Sequence, residues 1–238
     1  MLALITNISV NMFRYKKVNI KFNNIQSSGY SAIGAILLSI ILTEVYNKQF
    51  TLNFPVNTIL RLFIVRLLIS IPIITAVILN KESLSSIGIT KKNSIKSIIL
   101  GFVIGLAYFF LTDIKSFKIL NILTAQSIKA LSHLFLYYMV VGLGEEVLYR
   151  GYLQTRLIHW FGEKKGWILA SIIFAFMHLG QRMIINKMQI SQAMLGCIAL
   201  LPMSLLLGYT MLKTKNIISC SILHTFINFT SIIIGYIK

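Results

Sequence analysis

Runs of about 20 consecutive apolar residues recur along this chain, the length an α-helix needs to cross the hydrocarbon core of a bilayer. In lipid every backbone N–H and C=O must be satisfied within the spanning structure, so such runs fold as helices. They fall at roughly 28–46, 59–79, 95–111, 131–155, 167–186, 192–212 and 217–236. The pattern predicts an all-α fold, a polytopic transmembrane helix bundle of about seven spans. Pro72 and Pro202 fall inside spans and are expected to kink them. Only 12% of the residues are charged, against about 25% in a soluble domain.

The formal net charge is +17, but the basic residues are scattered between apolar runs. They read as topology signals and contacts to anionic lipid headgroups, with no nucleic-acid partner implied. With the N-terminus inside, one side collects Arg14, Lys16, Lys17, Lys21, Lys81, Lys91, Lys92, Lys96, Arg156, Lys164, Lys165, Lys213 and Lys215. Lys48, Lys115, Lys118, Lys129, Arg182, Lys187 and Lys238 fall on the other, with Arg61 and Arg66 near it. The excess favours a cytoplasmic N-terminus. The apolar stretch Met1–Phe13 precedes its basic cluster, the reverse of a signal peptide. Residues 1–27 are therefore expected to be a basic interfacial segment, 28–125 an N-terminal set of transmembrane helices, and 126–238 the functional core. Cys197 and Cys220 lie in apolar segments and suggest no disulfide. Abundant Ile, Lys and Asn fit an AT-rich genome, so the expected location is a bacterial plasma membrane.

Three polar constellations interrupt the later spans. The first is Glu145-Glu146-Val147-Leu148-Tyr149-Arg150. A charge at the centre of a spanning helix costs about 2.5–3.5 kcal/mol on insertion scales, so three in six residues need compensation or a task. Glu146 and Arg150 are i,i+4 with the acid first, the better order for an ion pair. Glu145 is turned about 100° away, toward another helix. That spacing divides the labour: Glu146 neutralises Arg150, and Glu145 suits a general base. The second is Phe174-Ala175-Phe176-Met177-His178, the third His224-Thr225-Phe226-Ile227-Asn228. In each, the terminal residues share a helix face. Either pair by itself also suits packing or interhelical hydrogen bonding. Together, on three apolar helices, the constellations predict one polar catalytic cavity inside the bundle. His133 and His159 are read as interfacial, and Glu44, Glu82, Asp113 and Glu163 as solvated residues at span ends or in loops.

At these residues the chain resembles the CAAX-protease and bacteriocin-processing family, also called the Abi family, of intramembrane glutamic endopeptidases. That family has E-E-x-x-x-R, F-x-x-x-H and H-x-x-x-N motifs on successive helices, and all three stand here in order. The flanks Arg150-Gly151-Tyr152-Leu153, Gly208-Tyr209 and Lys213-Thr214-Lys215-Asn216 are also similar. The resemblance covers roughly residues 130–230, while residues 1–125 match only as generic spans. Lys215 departs from it where the family often has Gly, which touches a turn, and Tyr149 stands where Phe is common. The resemblance implies proteolysis within the membrane without a metal or other cofactor. Glu145 and His178 would activate a water, and His224 and Asn228 would stabilise the oxyanion. Glu146 and Arg150 would orient the site, and the partner would be a peptide or membrane-protein substrate.

Other readings compete. Glu145, His178 and His224 offer a two-His, one-carboxylate zinc site, although no His-Glu-x-x-His helix is present. A bacteriocin self-immunity or scaffold protein would bind a partner without cutting it. Intramembrane Glu, Arg and His also mark ion pathways, but no repeat of the kind many transporters carry is visible.

Overall fold

The computed structural model describes Gly34, Ile36 and Leu38, residues 70–113 and residues 125–237. The expected basic segment 1–27, almost all of the span at 28–46 and the first part of that at 59–79 lie outside the described residues. Within them the chain is helical, with no strand. Helix α1 (Ser70–Leu79) leads through a 3₁₀ turn at Leu84–Ile87 into α2 (Ser94–Asp113). Next, α3 (Ala125–Glu146) runs through a π-helical stretch, Val147–Gln154, into α4 (Thr155–Phe161). Gly162, at φ 82°, breaks this rod. Helix α5 (Glu163–Gly180) ends in a second π-helical turn, Gln181–Ile185, followed by α6 (Ile190–Thr214) and α7 (Ile217–Ile237).

Four helical stretches among the described residues are long and apolar enough to cross a bilayer: Ser94–Leu111, Ile128–Phe161, Glu163–Ile184 and Ile190–Thr214. The 25 residues of α6 rise about 37 Å at 1.5 Å each, enough for a hydrocarbon core of about 30 Å. Pro202 lies within α6, which continues past it. Many large apolar side chains on the outer faces, among them Ile95, Val103, Leu111 and Leu195, are exposed, as suits helices solvated by lipid tails.

Helix α7 holds the arrangement together, packing against α2, α3 and α6, while α5 packs against α4 and α6. Lipid tails are as apolar as leucine, so close backbone approach has to supply the association. Small residues provide it. A Cβ at Gly101 of α2 would lie 2.8 Å from the Ser219 carbonyl oxygen, and one at Gly142 of α3 3.2 Å from that of Ser221.

The α6–α7 turn fixes the height of α7. Asn216, fully buried, donates through its amide to the carbonyls of Thr90 (2.8 Å) and Lys92 (3.0 Å). Its side-chain oxygen accepts from the Ile218 amide at 2.9 Å. Lys215 takes the left-handed conformation, φ 52° and ψ 30°, which costs an L-residue about 1–2 kcal/mol and glycine almost nothing. Lys215→Gly is therefore expected to stabilise the chain by up to about 1 kcal/mol after the extra unfolded-state entropy of glycine. A rise in the melting temperature in detergent is the check; a fall would mean that the lysine side chain contributes more than the backbone strain removes.

One sequence expectation is overturned. Glu82 is not solvated: its side chain and that of Arg156 are both fully buried and form an ion pair. Arg156 is thus part of the protein interior. It also donates to the Thr155 hydroxyl at 2.8 Å and lies 4.0 Å from the centre of the Tyr152 ring. The physical reason is that Arg156 faces inward from the long α3–α4 rod, and a buried guanidinium requires a carboxylate, which the segment before the 3₁₀ turn supplies.

Candidate active site

The three motifs sit on α3 with its π-helical continuation, on α5 and on α7. Glu146 ends the α-helical part of the rod, and the π-helical stretch that follows is buried along its whole length. Such widened turns are frequent at functional sites because they redirect a side chain without ending the helix. Here the stretch carries Arg150. Its Nη1 donates to Glu146 Oε1 at 2.7 Å, and its Nη2 to the Ser204 hydroxyl at 3.0 Å and the Ser204 carbonyl at 3.3 Å. The guanidinium carbon lies 3.9 Å from the centre of the Phe174 ring. Arg150 is thereby held by an ion pair, a serine and an aromatic face at once.

Phe174 forms the floor between the motifs. Its ring meets His178 edge-on with centroids 4.9 Å apart, His224 at 5.9 Å and Tyr149 at 5.0 Å. His178 stands one turn further along α5, its Nδ1 2.9 Å from the Phe174 carbonyl oxygen. That contact makes Nδ1 the protonated nitrogen and Nε2 the one available for chemistry.

His224 faces both glutamates. Its Nδ1 lies 2.8 Å from Glu146 Oε1 and its Nε2 3.8 Å from Glu145 Oε2. The two acids differ sharply in surroundings. The Glu146 side chain is fully buried, whereas that of Glu145 is 20% exposed. The structure therefore brings Glu145, Glu146, Arg150, Phe174, His178 and His224 into one cluster. Asn228, half-buried, lies one turn beyond His224 on α7.

Sequence reasoning passed over Ser204 and Ser171, which exchange hydrogen bonds between α6 and α5 beside Arg150. The signal for Ser204 was weak, a lone serine two residues after Pro202, and serine is common in spanning helices. Among the described residues no three His, Cys, Asp or Glu side chains are grouped so as to hold a metal ion. What the cluster offers is a partly exposed carboxylate beside one imidazole, with a second imidazole against the same Phe174 ring, backed by a buried ion pair. Those are the parts of a general acid–base site.

Residues 127–230 match the model of a family described as Rce1-like, type II CAAX prenyl endopeptidase Rce1-like. The matched stretch contains every residue of the cluster. No curated protein and no solved structure matches the chain.

Proposed function

We propose that this chain, whose residues 127–230 match the model of the Rce1-like CAAX prenyl endopeptidase family, is an integral membrane endopeptidase of the glutamic type. It hydrolyses a peptide bond in a membrane-associated peptide or protein. The observation that carries the reading is the contrast between two neighbouring acids. Glu146 is enclosed and ion-paired, while Glu145 is partly exposed beside His224.

In this reading Glu145 and His178 take a proton from a water as its oxygen bonds to the substrate's carbonyl carbon. His224 and Asn228 stabilise the oxyanion that develops. The C–N bond then breaks as the leaving amine receives a proton from the same acid–base pair. Glu146 and Arg150 hold the frame, and a polar cavity between the helices admits water and the substrate backbone. The plasma membrane of a bacterium, with the N-terminus cytoplasmic, is the setting.

The rival readings separate by experiment. Membranes of a host expressing the wild type are compared by peptidomics with those expressing Glu145→Gln at equal abundance. A peptide or trimmed terminus present only with the wild type supports hydrolysis. A self-immunity or scaffold protein would keep its phenotype in Glu145→Gln and leave the peptide profile unchanged. The zinc reading predicts loss of activity with 1,10-phenanthroline; the metal-free mechanism predicts full activity in chelator.

A further inference from the structure

The contact between Glu146 and His224 carries more than support for the frame. A nitrogen and an oxygen 2.8 Å apart must have a proton between them, since otherwise two lone pairs face each other. Glu146 Oε1 already accepts from Arg150 at 2.7 Å, and the guanidinium is itself fixed by Ser204 and Phe174. The oxygen that meets His224 is therefore immobile. The imidazole ring is also held edge-on to Phe174, with an interplanar angle of 81°. Position, ring plane and hydrogen-bond partner of Nδ1 are all determined by groups that the proposed chemistry does not consume.

We infer that Glu146 is the positioning residue of His224: it accepts the Nδ1 proton, fixes the tautomer, and presents Nε2 to the reacting atoms beside Glu145. The inference rests on the endopeptidase reading and deepens it, because it gives Glu146 a task beyond neutralising Arg150. It also changes what His224 does. With the proton on Nδ1, a neutral His224 exposes a lone pair at Nε2 and cannot donate to an oxyanion. It becomes a donor only after accepting a proton there. The 3.8 Å between Nε2 and Glu145 Oε2 is too long for a direct hydrogen bond, but it places both groups beside one water.

The step then balances as follows. The water oxygen bonds to the carbonyl carbon while Glu145, aided by His178, takes one water proton and passes it on to Nε2. The protonated Nε2 donates to the oxyanion. When the C–N bond breaks, that proton goes to the leaving nitrogen, and the products are an acid and an amine. A carboxylate that fixes a histidine tautomer has a large kinetic effect in serine proteases, where losing it lowers kcat by about 10⁴.

The test reads the tautomer directly, on the full chain labelled with ¹⁵N-histidine in lipid nanodiscs. The chain has four histidines, and the His224 signals are the pair missing from His224→Gln. The expected spectrum has a proton on Nδ1 of His224, whether or not Nε2 also carries one. An unprotonated Nδ1 with a proton on Nε2 overturns the inference. This outcome is independent of activity, so it fails separately from the endopeptidase reading. In Glu146→Leu the Nδ1 preference is expected to disappear, with kcat falling at least roughly tenfold and KM little changed. A folded Glu146→Leu protein that keeps the wild-type His224 spectrum also overturns it. Should that variant not fold, the wild-type spectrum alone decides.

Discussion

Glu82→Ala is expected to cost the folded chain about 3–5 kcal/mol, because it leaves a buried guanidinium without its carboxylate. Glu82 Oε2 accepts from Arg156 and, at 3.0 Å, from the Ser86 hydroxyl. Both charged side chains are fully buried. The contacts of Arg156 to the Thr155 hydroxyl, to the Tyr152 ring and, at 3.4 Å, to the Ser86 carbonyl and hydroxyl do not replace a counter-charge. The double variant Glu82→Ala, Arg156→Met is expected to recover most of the loss, since an apolar pair of similar volume is often no worse than a buried ion pair. Denaturant unfolding in mixed micelles measures all three proteins. A cost below about 1 kcal/mol for the single variant would place the pair in the range of solvated ion pairs and contradict the burial.

His178→Ala and Glu145→Gln are each expected to lower kcat by about 10²–10⁴, the usual worth of a positioned acid–base group. At about 1.4 kcal/mol per decade this is some 3–5 kcal/mol of transition-state stabilisation. Neither change is expected to unfold the protein. Glu145 is partly exposed, and His178 is half-buried with its ring against that of Phe174. The informative result is the double variant. Two groups that move one proton act as a unit, so combining the changes is expected to cost little more than either one. Strictly additive losses would mean that the two residues serve separate steps.

How much of this was legible in the sequence depended on whether a signal was local. The helices were, because an apolar run reports its own length. The runs at 95–111, 192–212 and 217–236 correspond to α2, α6 and α7 within a few residues. The motif residues were also visible, since a Glu pair or a His four residues from Asn is conspicuous in an apolar helix. Partners distant along the chain were not. Glu82 and Arg156 are 74 residues apart, and a glutamate in a short polar loop looks solvated until the fold brings the arginine to it. The second role of Glu146 was hidden in the same way. Its i,i+4 spacing to Arg150 announced one partner, and nothing local announced His224, 78 residues away. The π-helical widening at Val147–Gln154 left no pattern either, because the same residues suit an α-helix.

The central claim is that Glu145 works as the base of a membrane endopeptidase, and cleavage itself tests it most directly. Purified wild type and Glu145→Gln are reconstituted in liposomes at equal amounts, with a set of membrane-anchored peptides bearing prenylated and unprenylated termini. Products are identified by mass spectrometry. The account predicts one defined new terminus with the wild type, insensitive to chelator, and none above background with Glu145→Gln. Equal cleavage by both proteins, at the same bond and rate, would contradict it.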